Sequence, residues 1–213
     1  MTALPENSII VFMSGGPDST ATAWQALEEG HGVVGVHIVL PYGYRDNWRR
    51  RPCDRVGTYI LGRHPIRFVY HQWHLGMTKE MMIRIGDGSL AASGDLWDWW
   101  YQLKRFIVAT LMLAYPGTAR VGYLPTSETE KLVLPLEWRT TDDTQRWQEG
   151  FERWTPPFAR QPYTKRDVYK ALPQNLWSQT VSCENSRDIA GHFIPCEVCP
   201  KCKERAASRK GES

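Results

Sequence analysis

Residues 8–13 read Ser-Ile-Ile-Val-Phe-Met, an apolar and β-branched run with no alternating polar face. That is the pattern of a strand covered on both sides in a parallel sheet. A glycine-rich turn over 14–18 follows at once. Residues 19–29 then place Ala23, Ala26 and Leu27 at helical spacing, and Gly30 supplies a stop. A second apolar run over 33–40 predicts the next strand. A strand, turn, helix and strand in this order build a parallel unit that presents ligands at the carboxyl ends of its strands.

The same patterning predicts a helix over 55–61, a strand over 66–70, the longest helix over 97–115 stopped by Pro116-Gly117, and a strand over 119–123. A helix is expected over 142–154, because Trp147, Phe151 and Trp154 fall on one helical face. Pro156-Pro157 ends it, and Phe158 opens a short last strand. Thr164 and Asp167 have capping-box spacing ahead of a helix over 168–172, which Pro173 ends. No internal repeat or low-complexity linker interrupts the alternation. The expected fold class is α/β, a Rossmann-like open parallel sheet of about five strands with helices on both faces.

Composition removes several classes. With 213 residues, 42% hydrophobic and 23% charged, the chain is neither disordered, collagenous nor a global coiled coil. A chain this long buries roughly 70% of the surface it exposes when unfolded, so its five cysteines are not needed as disulfide staples. The apolar, charge-free stretch over 106–119 has 14 residues, short of the about 20 that span a bilayer, and reads as a core helix. Residues 1–6 lack the basic start of a signal peptide, so the expected compartment is the cytoplasm and no membrane partner is expected. The formal net charge is +3, and residues 45–55 alone carry that excess in Arg45, Arg49, Arg50, Arg51 and Arg55 against Asp46 and Asp54. This segment reads either as a solvated loop or as an anion-binding one. A second basic stretch covers 201–210. So small a net charge argues against a general nucleic-acid binder.

The turn between the first strand and first helix carries the chemistry. Ser14-Gly15-Gly16-Pro17-Asp18-Ser19 stands where backbone N–H groups converge and the helix dipole favours an anion. Glycines at 15 and 16 remove the Cβ atoms that would hold a phosphate off the backbone, while Ser14 and Ser19 add hydroxyls. Asp18 is out of place beside an anion unless it caps the helix or orients a Mg²⁺ ion carried by phosphates. No Walker-type G-x-x-x-x-G-K-[ST] occurs. Gly30-His-Gly32-Val-Val-Gly35 matches G-x-G-x-x-G but enters a strand from a helix, the reverse of the dinucleotide-binding order.

Ser14 to Ser19 resembles the S-G-G-x-D-S loop of the PP-loop ATP pyrophosphatases, which cleave ATP between its α and β phosphates to adenylate a substrate oxygen. The resemblance implies that Ser14, Gly15, Gly16, Asp18 and Ser19 hold the pyrophosphate of ATP with Mg²⁺, and that His37 and Val39, at the end of the second strand, lie near the adenine.

Near the other end, Cys183-x12-Cys196-x2-Cys199-x2-Cys202 supplies four thiols at metal-ligand spacing. Four thiolates suit a closed tetrahedral Zn²⁺ site, structural rather than catalytic. An iron–sulfur cluster also takes cysteines. His192 is a further candidate ligand or a plain loop histidine, and Cys53 an ordinary thiol.

The PP-loop followed by this cysteine cluster is similar to the 7-cyano-7-deazaguanine synthase (QueC) family. The order of parts matches over nearly the whole chain. Tyr42-Gly43-Tyr44-Arg45 is similar to that family's Y-G-Q-R segment, Tyr163-Thr164-Lys165 to its Lys-bearing segment, and Asp143-Thr144 with Phe151 to part of its P-D-[CT]-R-P-E-F segment. The family's R-N pair and Y-S-G-Y run have no clear counterpart, and the cysteine gap is longer. The resemblance implies a PP-loop catalytic domain over 1–180 and a zinc-binding segment over 181–213. It implies ATP, Mg²⁺ and Zn²⁺ as cofactors, Asp18 and Lys165 as catalytic residues, and Tyr42, Arg45 and Asp143 as substrate contacts. The reaction implied is ATP-dependent conversion of 7-carboxy-7-deazaguanine to 7-cyano-7-deazaguanine with ammonia, and the family leaves room for a homodimer. Two alternatives stay open: a PP-loop enzyme that adenylates another deazapurine, tRNA base or carboxylate, and a zinc-knuckle nucleic-acid module.

Overall fold

The computed structural model describes residues 4–39, 47–75, 95–115, 118, 120–125, 151–183, 187–189 and 192–209. Five strands, β1 (Ile9–Phe12), β2 (Val33–Val39), β3 (Phe68–His74), β4 (Arg120–Gly122) and β5 (Glu152–Trp154), form one sheet in the order β3-β2-β1-β4-β5. Every neighbouring pair is parallel. Among the described residues the helices are α1 (Pro17–Glu28), α2 (Asn47–Arg63), α3 (Asp95–Ala114), α4 (Lys165–Lys170), α5 (Gln174–Trp177) and α6 (Pro200–Arg209). A small antiparallel pair, β6 (Arg187–Ile189) and β7 (His192–Ile194), stands apart from the sheet. The fold is Rossmann-like α/β, as the alternation of patterns predicts.

β1 is apolar throughout because both of its faces are covered. Ile9, Val11 and Met13 pack with Ala23 and Leu27 of α1 and Val56 and Ile60 of α2. Ile10 turns the other way, to Val34, Val36 and Ile38 of β2 and to Ile107, Val108 and Leu111 of α3. This is the period-2 alternation of a strand lying between two helical layers. Ile9, Ile10, Leu27, Val33 and Val34 are fully buried, and each contributes about 1.5–3 kcal/mol relative to exposure. The layers fix β1 and thereby the turn that leaves it.

From β1 the chain runs outward through β2 and β3, then crosses to the opposite side for β4 and β5. The strand order therefore reverses beside β1, and the crevice at its carboxyl end is where open α/β sheets bind ligands. Among the described residues, no helix is long and apolar enough to cross a membrane.

Several local expectations are corrected. Glu152–Trp154 is a strand, not the end of a helix. Trp154 packs in the α1/α2 layer and Phe151 in the α3 layer, so the two lie on opposite sides of the sheet. Pairing with β4 fixes this, and Tyr123 N–H donates to the Trp154 carbonyl at 2.7 Å. Phe158 lies in a 3₁₀ turn (Pro157–Ala159), where a strand was expected. The helix expected over 55–61 starts at Asn47, so the Arg-rich segment from 49 to 55 is helical and not a loop. α5, α6 and the β6/β7 pair answer to no element that the sequence pattern predicts, and the basic stretch from 201 is helical as far as Arg209.

Candidate functional site

The turn leaves β1 at Met13. Gly15 takes φ +72, a left-handed conformation that costs other residues strain. A Cβ there would also stand 2.9 Å from the Cys53 backbone nitrogen and 3.0 Å from Pro52 Cβ, so α2 packs directly beneath the loop. Ser14 N–H donates to Ser19 Oγ at 3.1 Å, the two hydroxyls lie 3.1 Å apart, and Gly16 N–H donates to Ser14 Oγ at 3.3 Å. Gly16 is the N-cap of α1 and supplies no side-chain cap, while Pro17 takes the first helical position. The first-turn N–H groups of a helix have no intrahelical acceptor. The result is a glycine turn at the positive end of a 12-residue helix.

Lys165, the first residue of α4, reaches into this turn and donates from Nζ to Asp18 Oδ2 at 2.7 Å. Its side chain is 7% exposed. The start of α4 is held by Asp167, whose Oδ2 accepts from Thr164 N–H at 2.8 Å and Thr164 Oγ1 at 2.7 Å. These bonds, the backbone one foremost, hold the Asp167 carboxyl below its ordinary range. Buried Tyr163 anchors the preceding residue by donating its hydroxyl to the Pro125 carbonyl. The other oxygen of Asp18, Oδ1, is buried and has no hydrogen-bond partner among the described residues. It is a hard oxygen donor beside the glycine turn, and such an oxygen could serve as one ligand to a hard cation.

The described candidates thus come together: Ser14, Gly15, Gly16, Asp18 and Ser19 in one turn, with Lys165 across it. His37 stands at the root of the turn, its Nδ1 3.0 Å from the Met13 carbonyl, and Cys53 Sγ donates to the same carbonyl at 3.4 Å. Val39 is the last residue of β2 and is buried. Tyr42, Arg45 and Asp143 lie outside the described residues.

The four cysteines form the second centre. The sulfurs of Cys183, Cys196, Cys199 and Cys202 all lie within 4.8 Å of one another. Glu197 adopts φ +61, which turns the chain between the second and third cysteines. Cys196 N–H donates to Cys183 Sγ at 3.3 Å and Cys199 N–H to Cys196 Sγ at 3.4 Å, so backbone bonds tie successive cysteines together. Burial, with the Cys199 and Cys183 sulfurs next, pushes the Cys202 thiol up to about 12. Four sulfurs held this close carry negative charge together only around a cation. The cluster could hold a metal such as zinc, closed by four protein ligands.

No sequence motif marks Arg205. It sits on α6 one turn beyond Cys202, and its Nη1 donates to the Thr180 carbonyl at 2.6 Å while Nη2 donates to the Trp177 carbonyl at 3.0 Å. Its guanidinium lies 4.8 Å from the Trp177 ring centroid. From the other side of that same Thr180–Val181 peptide, Val181 N–H donates to the Gly15 carbonyl at 2.9 Å. The cue available in the sequence was an arginine three residues after a ligand cysteine. It says nothing of what the arginine touches.

No known protein family and no curated protein matches this chain.

Proposed function

We propose that the protein is an ATP-dependent enzyme that adenylates a substrate oxygen, with the pyrophosphate of ATP seated in the turn from Ser14 to Ser19. The observation that carries this reading is the Lys165–Asp18 pair at 2.7 Å, placed on a glycine turn at the carboxyl end of the central strand. An anion cradle needs backbone donors and a cation; Lys165 supplies the cation and Asp18 orients it. Mg²⁺ would be held by Asp18 Oδ1 and would offset charge on the phosphates. His37 and Cys53 fix the carbonyl from which the turn springs. In this reading the turn holds the leaving pyrophosphate and Lys165 offsets its developing charge.

Within that class, the sequence resemblance favours 7-carboxy-7-deazaguanine and ammonia as substrates. The carboxylate oxygen attacks the α-phosphorus and pyrophosphate leaves; ammonia then attacks the acyl carbon, AMP leaves, and the amide remains. The amide oxygen attacks a second ATP in the same way, and loss of AMP and protons gives the nitrile. Direct dehydration is slow because oxide leaves poorly, and AMP replaces it. A zinc ion held by Cys183, Cys196, Cys199 and Cys202 would be structural, since four thiolates would leave no open position.

The test incubates metal-loaded protein with ATP, Mg²⁺, ammonium and 7-carboxy-7-deazaguanine and measures AMP and pyrophosphate. AMP well above the substrate-free level supports the reading. AMP released only with another base or with RNA moves the substrate assignment. No AMP with any of them removes the adenylation reading.

A further inference from the structure

The cysteine cluster and the glycine turn share one short segment of chain. Cys183 is a cluster member, Val181 two residues before it bonds the turn, and Thr180 before that accepts from Arg205 on the helix that carries Cys202. Val181 lies against the turn. Its N–H donates to the Gly15 carbonyl at 2.9 Å, and its carbonyl lies 3.6 Å from where a Cβ on Gly16 would stand. Thr180 is 2% exposed, and its own N–H and hydroxyl bond the Trp177 carbonyl at 3.1 and 2.8 Å. Arg205 therefore closes the carboxyl end of α5, where carbonyls lack helical partners and a cation is favoured. Both ends of the segment from Thr180 to Cys183 depend on the cluster, through Cys183 directly and through Cys202 and Arg205 on α6.

We infer that Arg205 is a positioning residue that couples metal occupancy of the cysteine cluster to anion binding in the turn from Ser14 to Ser19. A bound metal fixes Cys183 and the first turn of α6. Arg205 and Cys183 then hold Val181 against Gly15, and the turn stays open to an anion. Coupling of this kind is reciprocal, so an anion in the turn stabilises the metal by the same factor as the metal favours the anion. The inference rests on the proposed phosphate-binding role of the turn. It adds that the metal sets the affinity of that turn.

The test uses the full chain loaded with Zn²⁺ and inorganic pyrophosphate with Mg²⁺ as the probe. Pyrophosphate affinity is measured by calorimetry, and the rate of zinc release to a colorimetric chelator is measured with and without saturating pyrophosphate. In the unaltered protein, pyrophosphate is expected to tighten zinc binding by a factor within the usual range of coupling between sites, and, because affinity differences fall mostly on the off-rate, to slow zinc release about 5- to 20-fold. In Arg205→Ala, zinc content stays at one per chain, pyrophosphate binds about tenfold more weakly, and the protection of zinc disappears. Arg205→Lys recovers only part of it, because an ammonium cannot reach both carbonyls as the planar fork does. A merely structural Arg205 would speed zinc release equally with and without pyrophosphate, and that result overturns the inference. If the unaltered protein binds pyrophosphate yet releases zinc at the same rate with it and without it, the coupling is wrong while the phosphate-binding reading stands. If it binds neither pyrophosphate nor ATP, both fall.

Discussion

Lys165 Nζ and Asp18 Oδ2 meet at 2.7 Å although 147 residues separate them in the chain. The lysine is nearly withdrawn from solvent and the aspartate sits on the second residue of a helix that favours anions. Asp18→Ala removes the carboxylate that orients a buried ammonium. We expect turnover to fall at least 100-fold and stability by about 2 kcal/mol. Lys165→Ala is expected to lose turnover similarly. Near-normal AMP release by either variant would exclude the pair from the chemistry.

Gly15 and Gly30 make a matched comparison. Both have positive φ, +72 and +90, but a Cβ at Gly30 meets nothing within 4 Å, whereas at Gly15 it meets the Cys53 backbone at 2.9 Å. Gly30→Ala should cost only backbone strain, about 1 kcal/mol. Gly15→Ala should cost at least twice that and abolish pyrophosphate binding. Equal urea midpoints for the two variants would contradict the close approach of α2 to the turn.

Metal analysis of the purified protein is expected to find about one zinc per chain. Cys199→Ser, or stripping with a chelator, should cost about 3 kcal/mol or more, lowering Tm by roughly 6–12 °C for a chain of this size. A metal-free protein of unchanged Tm would show that the four sulfurs do not hold a structural ion.

Stability should fall with acidification, and the sign follows from His64. Burial, and next the Arg67 guanidinium, hold His64 below the ordinary histidine range; Glu28 opposes them and Arg63 adds to them. The unfolded chain therefore takes up the proton first. The contribution is intact above pH about 6.5 and is lost as pH falls from there through the folded pKa. His31 and His71 are lowered too, chiefly by burial, and Asp167 adds a further loss below the ordinary carboxylate range. The urea midpoint is expected to drop between pH 7 and pH 5. His64→Phe keeps a ring against Trp24, whose centroid lies 5.0 Å from that of His64. It should show a smaller drop; an unchanged one would assign the effect elsewhere.

What was readable in the sequence is what local pattern determines. The apolar run of β1, the glycine turn and the helix after it are neighbours in the chain, so periodicity and turn chemistry place them together. Cysteine spacing announced the second centre for the same reason. Trp154 misled because its spacing from Trp147 and Phe151 suits a helix, while the open edge of β4 claimed Glu152–Trp154 for the sheet. Arg205 was illegible on other grounds: its partners are backbone carbonyls, and those carry no side-chain signature. Thr164 and Lys165 could be noted as a helix start, but only the packing of α4 against α1 brings that start to Asp18.

The bond from Val181 to Gly15 has a consequence for how the protein is made. During synthesis the glycine turn emerges some 165 residues ahead of the backbone contact it makes with Val181. β1 likewise waits for β4 to flank its second side. A nascent or prematurely terminated chain therefore carries the turn with one wall missing, and contacts so distant in the chain form slowly. Under the proposed function, nucleotide is bound well only after translation has passed the cysteine cluster, so truncated products would not compete for it.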